Sequence, residues 1–566
     1  MRKKSLAISI IILVLALLVG GYFFYDYKEK HSPSDERISI AQYYDNPTAD
    51  KVFLYRYHKP MEFNGILKNK EVYLPLAWVQ EYVNDTFYLD SANHNILYTE
   101  ADGTTVLPLG ALEYFYGEPY IALSEVKSRS NLLSRDFIGG DVNRVYLTDD
   151  TESYVTAKVK TDAVIRIDKS IKAPGIADLA AGATVDILEE PQAEMNDEEP
   201  ESLLGKKEKK LKEDDVPWVY VMSEDGLIGY IQESVLDNYV QACVISDYTE
   251  PKYSHILMDE PVLLAWHQVT NMASNNYLKD LLKNTSGINV ISPTWFSLSD
   301  NEGNFDSLAS HDYVAYAHDR GMKVWALVDN FSSSVSSLTI LSNTRTRKTL
   351  IENLIAASLE YQVDGINIDF EMLPMEASEP FAQFIRELSV ECRHNNLVLS
   401  IDNPAAASFN LYYRRDVQAR YADYVINMGY DEHYSGGEAG SVASLPFVED
   451  SMDLTLMQVP SEQFINGIPF YTRVWQIRGD ETTSIAQGLG VAKDWVRENQ
   501  VELSWNDELG QYYGEIRRDE MLSSIWMEEN TSLALKIEAA KKRNLAGIAC
   551  WKLGLEDAQA WEVVKY

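Results

Sequence analysis

Cysteine is scarce in this chain, and the histidines show no grouping that would hold a metal. The 566 residues include only three cysteines, Cys243, Cys392 and Cys550, which lie far apart and show no CxxC spacing. An odd and scattered set of this kind supports neither a disulfide framework nor a zinc site. The nine histidines do not occur at ligand spacing either. We therefore expect no metal and no cofactor.

Positive charge is also in short supply. The chain has 50 Lys and Arg residues against 86 Asp and Glu residues, which gives a net charge of −36. Nucleic acid or an anionic surface would repel such a chain, so neither is expected as its main partner. Hydrophobic residues make up 46% of the sequence, ample for a large core. The length suggests about three or four domains.

One long hydrophobic run occurs near the amino terminus, where Arg2-Lys3-Lys4 precede apolar residues over 6–24. As a helix rising ~1.5 Å per residue, this run covers roughly the ~30 Å of a bilayer's hydrocarbon. We therefore predict a cytoplasmic tail over 1–5 and a transmembrane signal anchor over 6–25. The positive-inside bias then predicts a single-pass membrane protein with any catalytic domain extracellular. The scarcity of cysteine in an exported chain favours a bacterial cell membrane. A cleaved signal peptide is the alternative, although no clear Ala-x-Ala site follows the run.

The most informative segment is 364–371, with the sequence DGINIDFE, which is typical of one β-strand. Its polar residues alternate with apolar ones, so Asn367, Asp369 and Glu371 share one face. An acidic pair at the end of an apolar strand is costly to bury unless it does chemistry or meets partners. This strand end is therefore where we expect a functional site; an ordinary solvated strand end is the alternative.

Eight apolar strand candidates alternate with helical segments from residue 250 to residue 566. They are 262–266, 290–294, 323–328, 365–371, 397–401, 424–428, 464–469 and 546–551. Eight near-continuous apolar strands separated by helices are what a (β/α)₈ TIM barrel needs. We therefore predict an α/β fold class with this barrel at 250–566. The long interval before the last strand predicts a small inserted subdomain around 498–517.

Residues 151–242 are predicted to form a small all-β barrel. Short strands broken by glycines, such as 163–166 and 226–231, support this prediction. The pattern resembles a bacterial SH3-like domain, which implies binding of cell-wall peptide or glycan; a spacer is the alternative. A charged insert at 189–215 has little to bury, and we expect a mobile loop or a solvated helix there.

Residues 26–150 are predicted to contain a short stalk followed by a small α+β module. A strand pattern over 71–76 leads into a helical pattern over 78–82, and a second version begins at 119–123. Both resemble the small repeat of the copper amine oxidase N-terminal domain, which implies a wall-associated module without a copper site. A spacer with no specific binding role is the alternative.

Active sites of such barrels lie where the strands end, and several predicted strand ends carry unusual groups. The sixth strand ends in MGYD at 428–431, the seventh in PFYTRVW at 469–475, and the eighth in Trp551. Aromatic residues in these positions suit a sugar, whose ring faces stack on Trp and Tyr while its hydroxyls find polar partners.

The segments DGINIDFE, MGYD and PFYTRVW, with Trp551, closely resemble the motifs of glycoside hydrolase family 18, the chitinase-like family, whose fourth-strand signature is DxxDxDxE. With the upstream modules, the resemblance is to the spore-germination and cell-wall branch. It implies cleavage of β-1,4 bonds in GlcNAc-containing glycans, with peptidoglycan expected and chitin as the alternative. It also implies that the substrate's own acetamido group attacks and that configuration is retained.

The resemblance implies a role for each motif residue. Glu371 would be the general acid and then the base, while Asp369 would orient the acetamido group and stabilise the oxazolinium intermediate. Tyr430 would donate a hydrogen bond to the acetamido oxygen, and Trp551 would form a hydrophobic floor. Further sugar-binding or site-shaping positions are Met428, Asp431, Tyr471, Arg473, Trp475 and Asn367.

One position departs from the family's signature, because Asn367 stands where the signature has an acid. An amide can hydrogen-bond Asp369 but cannot take its proton, so we expect a changed pH profile. The charge of Asp369 is expected to raise the pKa of Glu371. A lectin-like barrel that binds glycans without cleaving them, or a wall tether with a vestigial site, is the alternative to an enzyme.

Overall fold

The computed structural model describes residues 2–188 and 217–566, with side chains from residue 13 onward in the first helix. The predicted charged insert at 189–215 lies outside these residues. The chain forms two compact units. The first comprises Met1–Asp85 and Pro108–Glu250, and the second comprises Thr86–Leu107 and Pro251–Tyr566.

The elements up to residue 149 combine short helices with many strands. The helices are α1 (Arg2–His31), α2 (Ile40–Tyr43), α3 (Leu76–Tyr82) and α4 (Leu123–Ser128). The strands are β1 (Lys51–Arg56), β2 (Lys59–Lys68), β3 (Glu71–Pro75), β4 (Phe87–Asp90), β5 (Asn95–Glu100), β6 (Gly103–Val106), β7 (Leu112–Phe115), β8 (Glu118–Ala122), β9 (Leu132–Phe137) and β10 (Asn143–Asp149). Seven of them form one sheet in the order β7-β8-β3-β2-β1-β10-β9. The helical pattern predicted over 78–82 is confirmed by α3.

Helix α1 does not meet the requirements of a membrane span. Among the described residues, no helix is both long enough and apolar enough to cross a bilayer. The prediction of a signal anchor at 6–25 is therefore wrong, and so is the single-pass membrane location that followed from it.

The next seven strands form a second, all-antiparallel sheet. They are β11 (Thr151–Val159), β12 (Ala163–Arg166), β13 (Gly175–Leu179), β14 (Thr184–Ile187), β15 (Trp218–Ser223), β16 (Ile228–Gln232) and β17 (Leu236–Ile245). Their order in the sheet is β13-β12-β16-β15-β14-β11-β17. Ile165, Val185, Val221 and Ile231 contribute to one buried apolar cluster. The strand predicted at 163–166 coincides with β12.

The segment after residue 250 alternates strands with helices. Its strands are β18 (Val262–His267), β19 (Val290–Leu298), β20 (Phe305–Ser307), β21 (Lys323–Asp329), β22 (Gly365–Asp369), β23 (Val398–Pro404), β24 (Tyr424–Met428), β25 (Phe464–Pro469), β26 (Tyr471–Arg478), β27 (Glu481–Gly488), β28 (Leu503–Asn506), β29 (Gln511–Arg518), β30 (Met521–Met527) and β31 (Gly547–Trp551). Its helices are α5 (Leu278–Leu281), α6 (His311–His318), α7 (Ser337–Ser342), α8 (Thr344–Tyr361), α9 (Ser378–His394), α10 (Arg415–Tyr421), α11 (Leu445–Leu456), α12 (Leu489–Asn499), α13 (Asn530–Lys542) and α14 (Ala560–Val563).

Eight of these strands close a parallel barrel in the order β18, β19, β21, β22, β23, β24, β25 and β31. The last strand pairs back to the first, as Ala549 lies opposite Leu264. The predicted (β/α)₈ barrel is confirmed. All five residues of β22 are buried. Its polar positions face the barrel interior and its apolar positions face the outer helices, as expected for alternating residues of a barrel strand. Outside the barrel, Phe370 stacks on Phe384 of α9 with ring centroids 5.8 Å apart.

The interval between the seventh and eighth barrel strands contains a five-stranded antiparallel sheet in the order β27-β26-β30-β29-β28. The prediction around 498–517 covered only β28 and most of β29. The first half was missed because β26 directly continues the apolar pattern of β25, although it pairs with β27 and β30 instead of a barrel strand.

A three-stranded sheet formed by β4, β5 and β6 belongs to the barrel unit, although its strands precede β18 by more than a hundred residues. It packs on helices α8 and α9. The Thr344 hydroxyl donates to Asp90 Oδ2 at 2.7 Å, and Gln383 Nε2 donates to Thr99 Oγ1 at 2.9 Å. The guanidinium of Arg347 lies 5.0 Å from the ring centroid of Tyr88.

Candidate active site

A cavity of about 300 Å³ opens at the carboxyl ends of the barrel strands. It is lined by Trp266, Gln268, Val269, Thr270, Thr294, Ser297, Asp329, Phe331, Asp369, Glu371, Asp402, Met428, Tyr430, Asp431 and Trp551. Five of these residues are acids, and no lysine, arginine or histidine occurs among the described residues that line the cavity. Six residues predicted from the motifs meet there: Asp369, Glu371, Met428, Tyr430, Asp431 and Trp551.

Glu371 lies two residues beyond the end of β22 and is partly exposed to the cavity. Its backbone N–H donates to Asn330 Oδ1 at 3.0 Å, and Asn330 Nδ2 donates to the Glu371 carbonyl oxygen at 2.9 Å. These two bonds fix the end of the fourth strand to the end of the third. Burial raises the pKa of Glu371, and the charges of Asp431 and Asp329 raise it further. The predicted direction therefore holds, but burial is the main cause, and the sequence prediction named a different charge, that of Asp369.

Asp369 is 4% exposed, and its Oδ1 atom has no hydrogen-bond partner among the described residues. Burial raises the pKa of its carboxyl well above the usual range. The charges that raise it further are, in decreasing order, those of Asp402, Glu371 and Asp329. The hydroxyl of Tyr430, which is 8% exposed, is likewise buried without a described partner. Buried polar atoms are rarely left unpaired, so these two atoms are available to a ligand.

Below the cavity floor, Asn367 is fully buried in a hydrogen-bond network. Its Oδ1 accepts from Trp266 Nε1 at 3.1 Å and from Ser292 Oγ at 2.9 Å. Its Nδ2 donates to Asp402 Oδ1 at 2.9 Å, so the amide serves Asp402, whereas the sequence suggested Asp369. Burial raises the pKa of Asp402 to about 8, although the hydrogen bonds from Asn367 and Trp266 lower it.

At the edge of the cavity, Asp431 connects two residues of the inserted sheet to the barrel. The Tyr471 hydroxyl donates to Asp431 Oδ1 at 2.6 Å, and an Arg473 guanidinium nitrogen lies 3.9 Å from the same oxygen. The ring of Tyr471 meets the ring of Tyr430 edge-on, with centroids 6.2 Å apart. Trp475, also predicted for the site, is fully buried and donates from Nε1 to the Gly440 carbonyl oxygen, so it does not line the cavity.

Trp551 ends the eighth strand and meets Trp266 edge-on, with ring centroids 5.8 Å apart. The peptide bond after Trp551 is cis. Phe331 lies on the rim with 59% of its surface exposed.

Sequence reasoning missed Trp266, Asp329, Phe331 and Asp402. Asp329 and Asp402 each stand one residue beyond the predicted strand ends at 328 and 401, and extending those strands by one residue would have found them.

The model of the glycosyl hydrolases family 18 matches residues 266–556, about half of the chain and nearly the whole barrel. The chain belongs to glycoside hydrolase family 18. It is therefore a glycosidase of the chitinase-like type.

Several relatives of this family 18 glycosidase are known. The uncharacterized glycosylase YvbX of Bacillus subtilis is 24% identical over 298 residues, which cover 50% of this chain and 86% of that protein. The cortical fragment-lytic enzyme of Bacillus cereus is 21% identical over 243 residues, 42% of this chain and 56% of the relative. Among solved structures, the spore cortex-lytic enzyme SleL of Bacillus cereus is similar over 57% of this chain and 77% of its own, with a TM-score of 0.48 and 17% identity. The chitinase of Chromobacterium violaceum is similar over 54% of this chain and 98% of its own, with a TM-score of 0.49 and 20% identity.

Proposed function

We propose that this enzyme cleaves β-1,4 bonds of GlcNAc-containing glycans, with peptidoglycan as the substrate, by retaining substrate-assisted catalysis. The observation that supports this most is the pair of unpartnered buried atoms beside Glu371, Asp369 Oδ1 and the Tyr430 hydroxyl. One is an acceptor and the other can donate, as an acetamido group requires for its N–H and its carbonyl oxygen. Glycosidases of family 18 use that acetamido group as the nucleophile.

Glu371 would act as the general acid and then as the base. Its raised pKa favours the protonated form, so it can donate a proton to the glycosidic oxygen as the bond to the anomeric carbon breaks. The resulting carboxylate then removes a proton from the water that opens the intermediate. Its backbone bonds to Asn330 support this role by holding the strand end in place.

Asp369 and Tyr430 would position the acetamido group. Asp369 accepts from the amide N–H, and Tyr430 donates to the carbonyl oxygen, which attacks the anomeric carbon to form the cyclic oxazolinium ion. An anionic Asp369 then stabilises the positive charge of that ion. Burial strengthens these interactions, because little water competes with them.

Trp551 and Met428 would provide the apolar surface beneath the reacting sugar. Asp431, held by Tyr471 and approached by Arg473, would bind a sugar hydroxyl at the edge of the cavity. Asn367 would shape the site from below, since it is buried and holds Asp402. Trp475 would shape it only indirectly, through its hydrogen bond to the Gly440 carbonyl oxygen.

Two arguments favour peptidoglycan over chitin. One relative is named a cortical fragment-lytic enzyme. We also propose that residues 151–242 are an SH3-like module and that residues 26–150 contain a copper amine oxidase N-terminal-like module, followed by the catalytic domain at 250–566. Modules of both types would direct the barrel to cell-wall material.

The test is cleavage of purified peptidoglycan and, separately, of chitin oligomers by the full chain, with products identified by mass. We expect new reducing ends from peptidoglycan, and Glu371→Gln should lower kcat by roughly a hundred- to ten-thousand-fold because the proton donor is lost. Glu376→Gln, the same change at an exposed position of the same loop, should leave kcat unchanged. Glycan binding without cleavage by the parent would support a lectin-like barrel instead, and cleavage of chitin alone would overturn the choice of substrate.

A further inference from the structure

Asp402 lies next to Asp369 on the neighbouring barrel strand. The register of β22 and β23 pairs Ile368 with Ile401, and the next step along both strands sets Asp402 opposite Asp369. Adjacent strands lie about 4.8 Å apart, and residues paired in this way point to the same side of a sheet. Both side chains line the cavity. Asp402 is 2% exposed, so little water screens its charge.

Neutral groups hold the Asp402 carboxyl in one orientation. Its Oδ1 accepts from Asn367 Nδ2 at 2.9 Å, and its Oδ2 accepts from Trp266 Nε1 at 3.2 Å. The Asn367 amide cannot turn round, because its Oδ1 already accepts from Trp266 and from Ser292. The position of the Asp402 charge relative to Asp369 is therefore fixed by the strands and by this network.

The groups around Asp369 that can carry charge are all acids. Asp402 faces it from β23, Glu371 from the end of β22 and Asp329 from β21, while the Tyr430 hydroxyl approaches after β24. Of these, Asp402 has the largest effect on the pKa of Asp369. Two buried carboxyls on neighbouring strands that both have a raised pKa do not both ionise readily, so we expect the pair to keep one proton.

We propose that Asp402 is a positioning residue that shares one proton with Asp369, and that it supplies from the fifth strand the second acid that the family's signature has at position 367. The inference rests on the proposed roles of Asp369 and Glu371. Asn367 on the fourth strand then serves as the neutral donor that holds Asp402. Compared with the family's signature, the second acid therefore lies on the fifth strand instead of the fourth.

The experiment compares three variants of the full chain with the parent. Asp402→Asn removes the second acid, and Asn367→Asp combined with Asp402→Asn returns it to the fourth strand. In the double variant, the new acid at 367 can accept from Trp266, Ser292 and the amide at 402. Asp423→Asn is the matched control, since Asp423 is also 2% exposed but accepts from the backbone of Ile256 and Leu399 at the other end of the strands.

Two readouts are used, and thermal unfolding reports whether each variant is folded. Infrared titration of the ligand-free protein follows the buried carboxyl band, and the pH profile of kcat follows cleavage of peptidoglycan. In Asp402→Asn we expect the titration midpoint of Asp369 and the acidic limb of the profile to move to lower pH by about one unit or more. We also expect kcat to fall by roughly ten- to a hundred-fold because the Asp369 charge is misplaced. The double variant should recover most of the parent's titration, pH profile and kcat. The control variant Asp423→Asn should leave all three unchanged.

An Asp402→Asn variant with the parent's titration and profile would overturn the inference. So would a folded double variant that recovers neither, because Asp402 would then matter only for structure. If the parent cleaves no glycan, the proposed function fails, and the infrared titration alone still decides whether the two acids share a proton.

Discussion

At the scale of single residues, the amide of Asn367 determines where protons can reside in the cavity. It presents an acceptor to Trp266 and Ser292 and a donor to Asp402, so no acid occupies the centre of the network. The acids around it are buried, and their pKa values are raised in every case for which a shift is resolved: Asp329, Asp369, Glu371 and Asp402.

Asn367→Asp should shift the pH profile of cleavage to higher pH by about one unit or more. The new carboxyl would lie one hydrogen bond, 2.9 Å, from Asp402 Oδ1, where two acids must share a proton and each raises the pKa of the other. The measurement is kcat/KM against pH. Asn403→Asp, at a buried amide that bonds Gln418, is the control, and its profile should match the parent's. An unchanged profile in Asn367→Asp would contradict the expected coupling.

At the scale of elements, the sheet of β4, β5 and β6 is part of the barrel's stability. Phe87 is fully buried and Tyr98 is 2% exposed, and their rings lie 5.0 Å apart. The sheet also bonds α8 and α9 through Asp90 and Thr99. Helices α8 and α9 flank the strand that carries Asp369, so this sheet supports the site from outside the barrel.

Phe87→Ala should lower the free energy of unfolding of the barrel unit by about 3–5 kcal/mol, as expected when a buried aromatic side chain is removed. Urea unfolding followed by tryptophan fluorescence measures the change. Val106→Ala, in the same sheet at a side chain that is 60% exposed, should cost far less. Equal losses in the two variants would show that the sheet does not pack on the barrel as described.

The barrel strands could be predicted from the sequence because each is a near-continuous apolar run between polar helices. The predictions at 424–428 and 464–469 coincide with β24 and β25. The motif residues at the strand ends could also be found, since the barrel brings all its carboxyl ends to one face. Asp402 was missed because a single acid after an apolar run is indistinguishable from a turn residue until its neighbour on the next strand is known.

Two further features were not predicted correctly, and the first depends on long-range contacts that the sequence does not reveal. No local pattern indicates that β4 to β6 pack on helices more than two hundred residues later. The amino-terminal run meets the length requirement of a membrane span in the sequence, whereas no helix among the described residues is long and apolar enough to cross a bilayer.

At the scale of the whole molecule, buried acids make stability depend on pH. Burial raises the pKa of Asp423 to about 6 and that of Asp402 to about 8, above the ~3.9 of an exposed aspartate. Acids of this kind bind more protons in the folded state, so their contribution is present below about pH 4 and is lost as the pH rises through the folded values.

We therefore expect the thermal midpoint to fall between about pH 5 and pH 8. Asp423→Asn should flatten the fall around pH 6, because this acid no longer titrates. The net charge of −36 acts in the same direction through self-repulsion, so the scans are repeated in about 1 M salt, which screens exposed charges but not buried ones. A slope that disappears in salt would assign the effect to net charge alone.

The place of Thr86–Leu107 in the second unit has a consequence for making and dissecting this protein. During synthesis these residues leave the ribosome long before helices α8 and α9, which they contact. The three strands can therefore pack only after the barrel has been synthesised. The polypeptide also passes between the units three times, at 85–86, 107–108 and 250–251. A recombinant fragment beginning at residue 251 would lack the strands that contact Arg347 and Gln383 on the outer helices. We therefore expect it to aggregate unless 86–107 is supplied as a separate peptide.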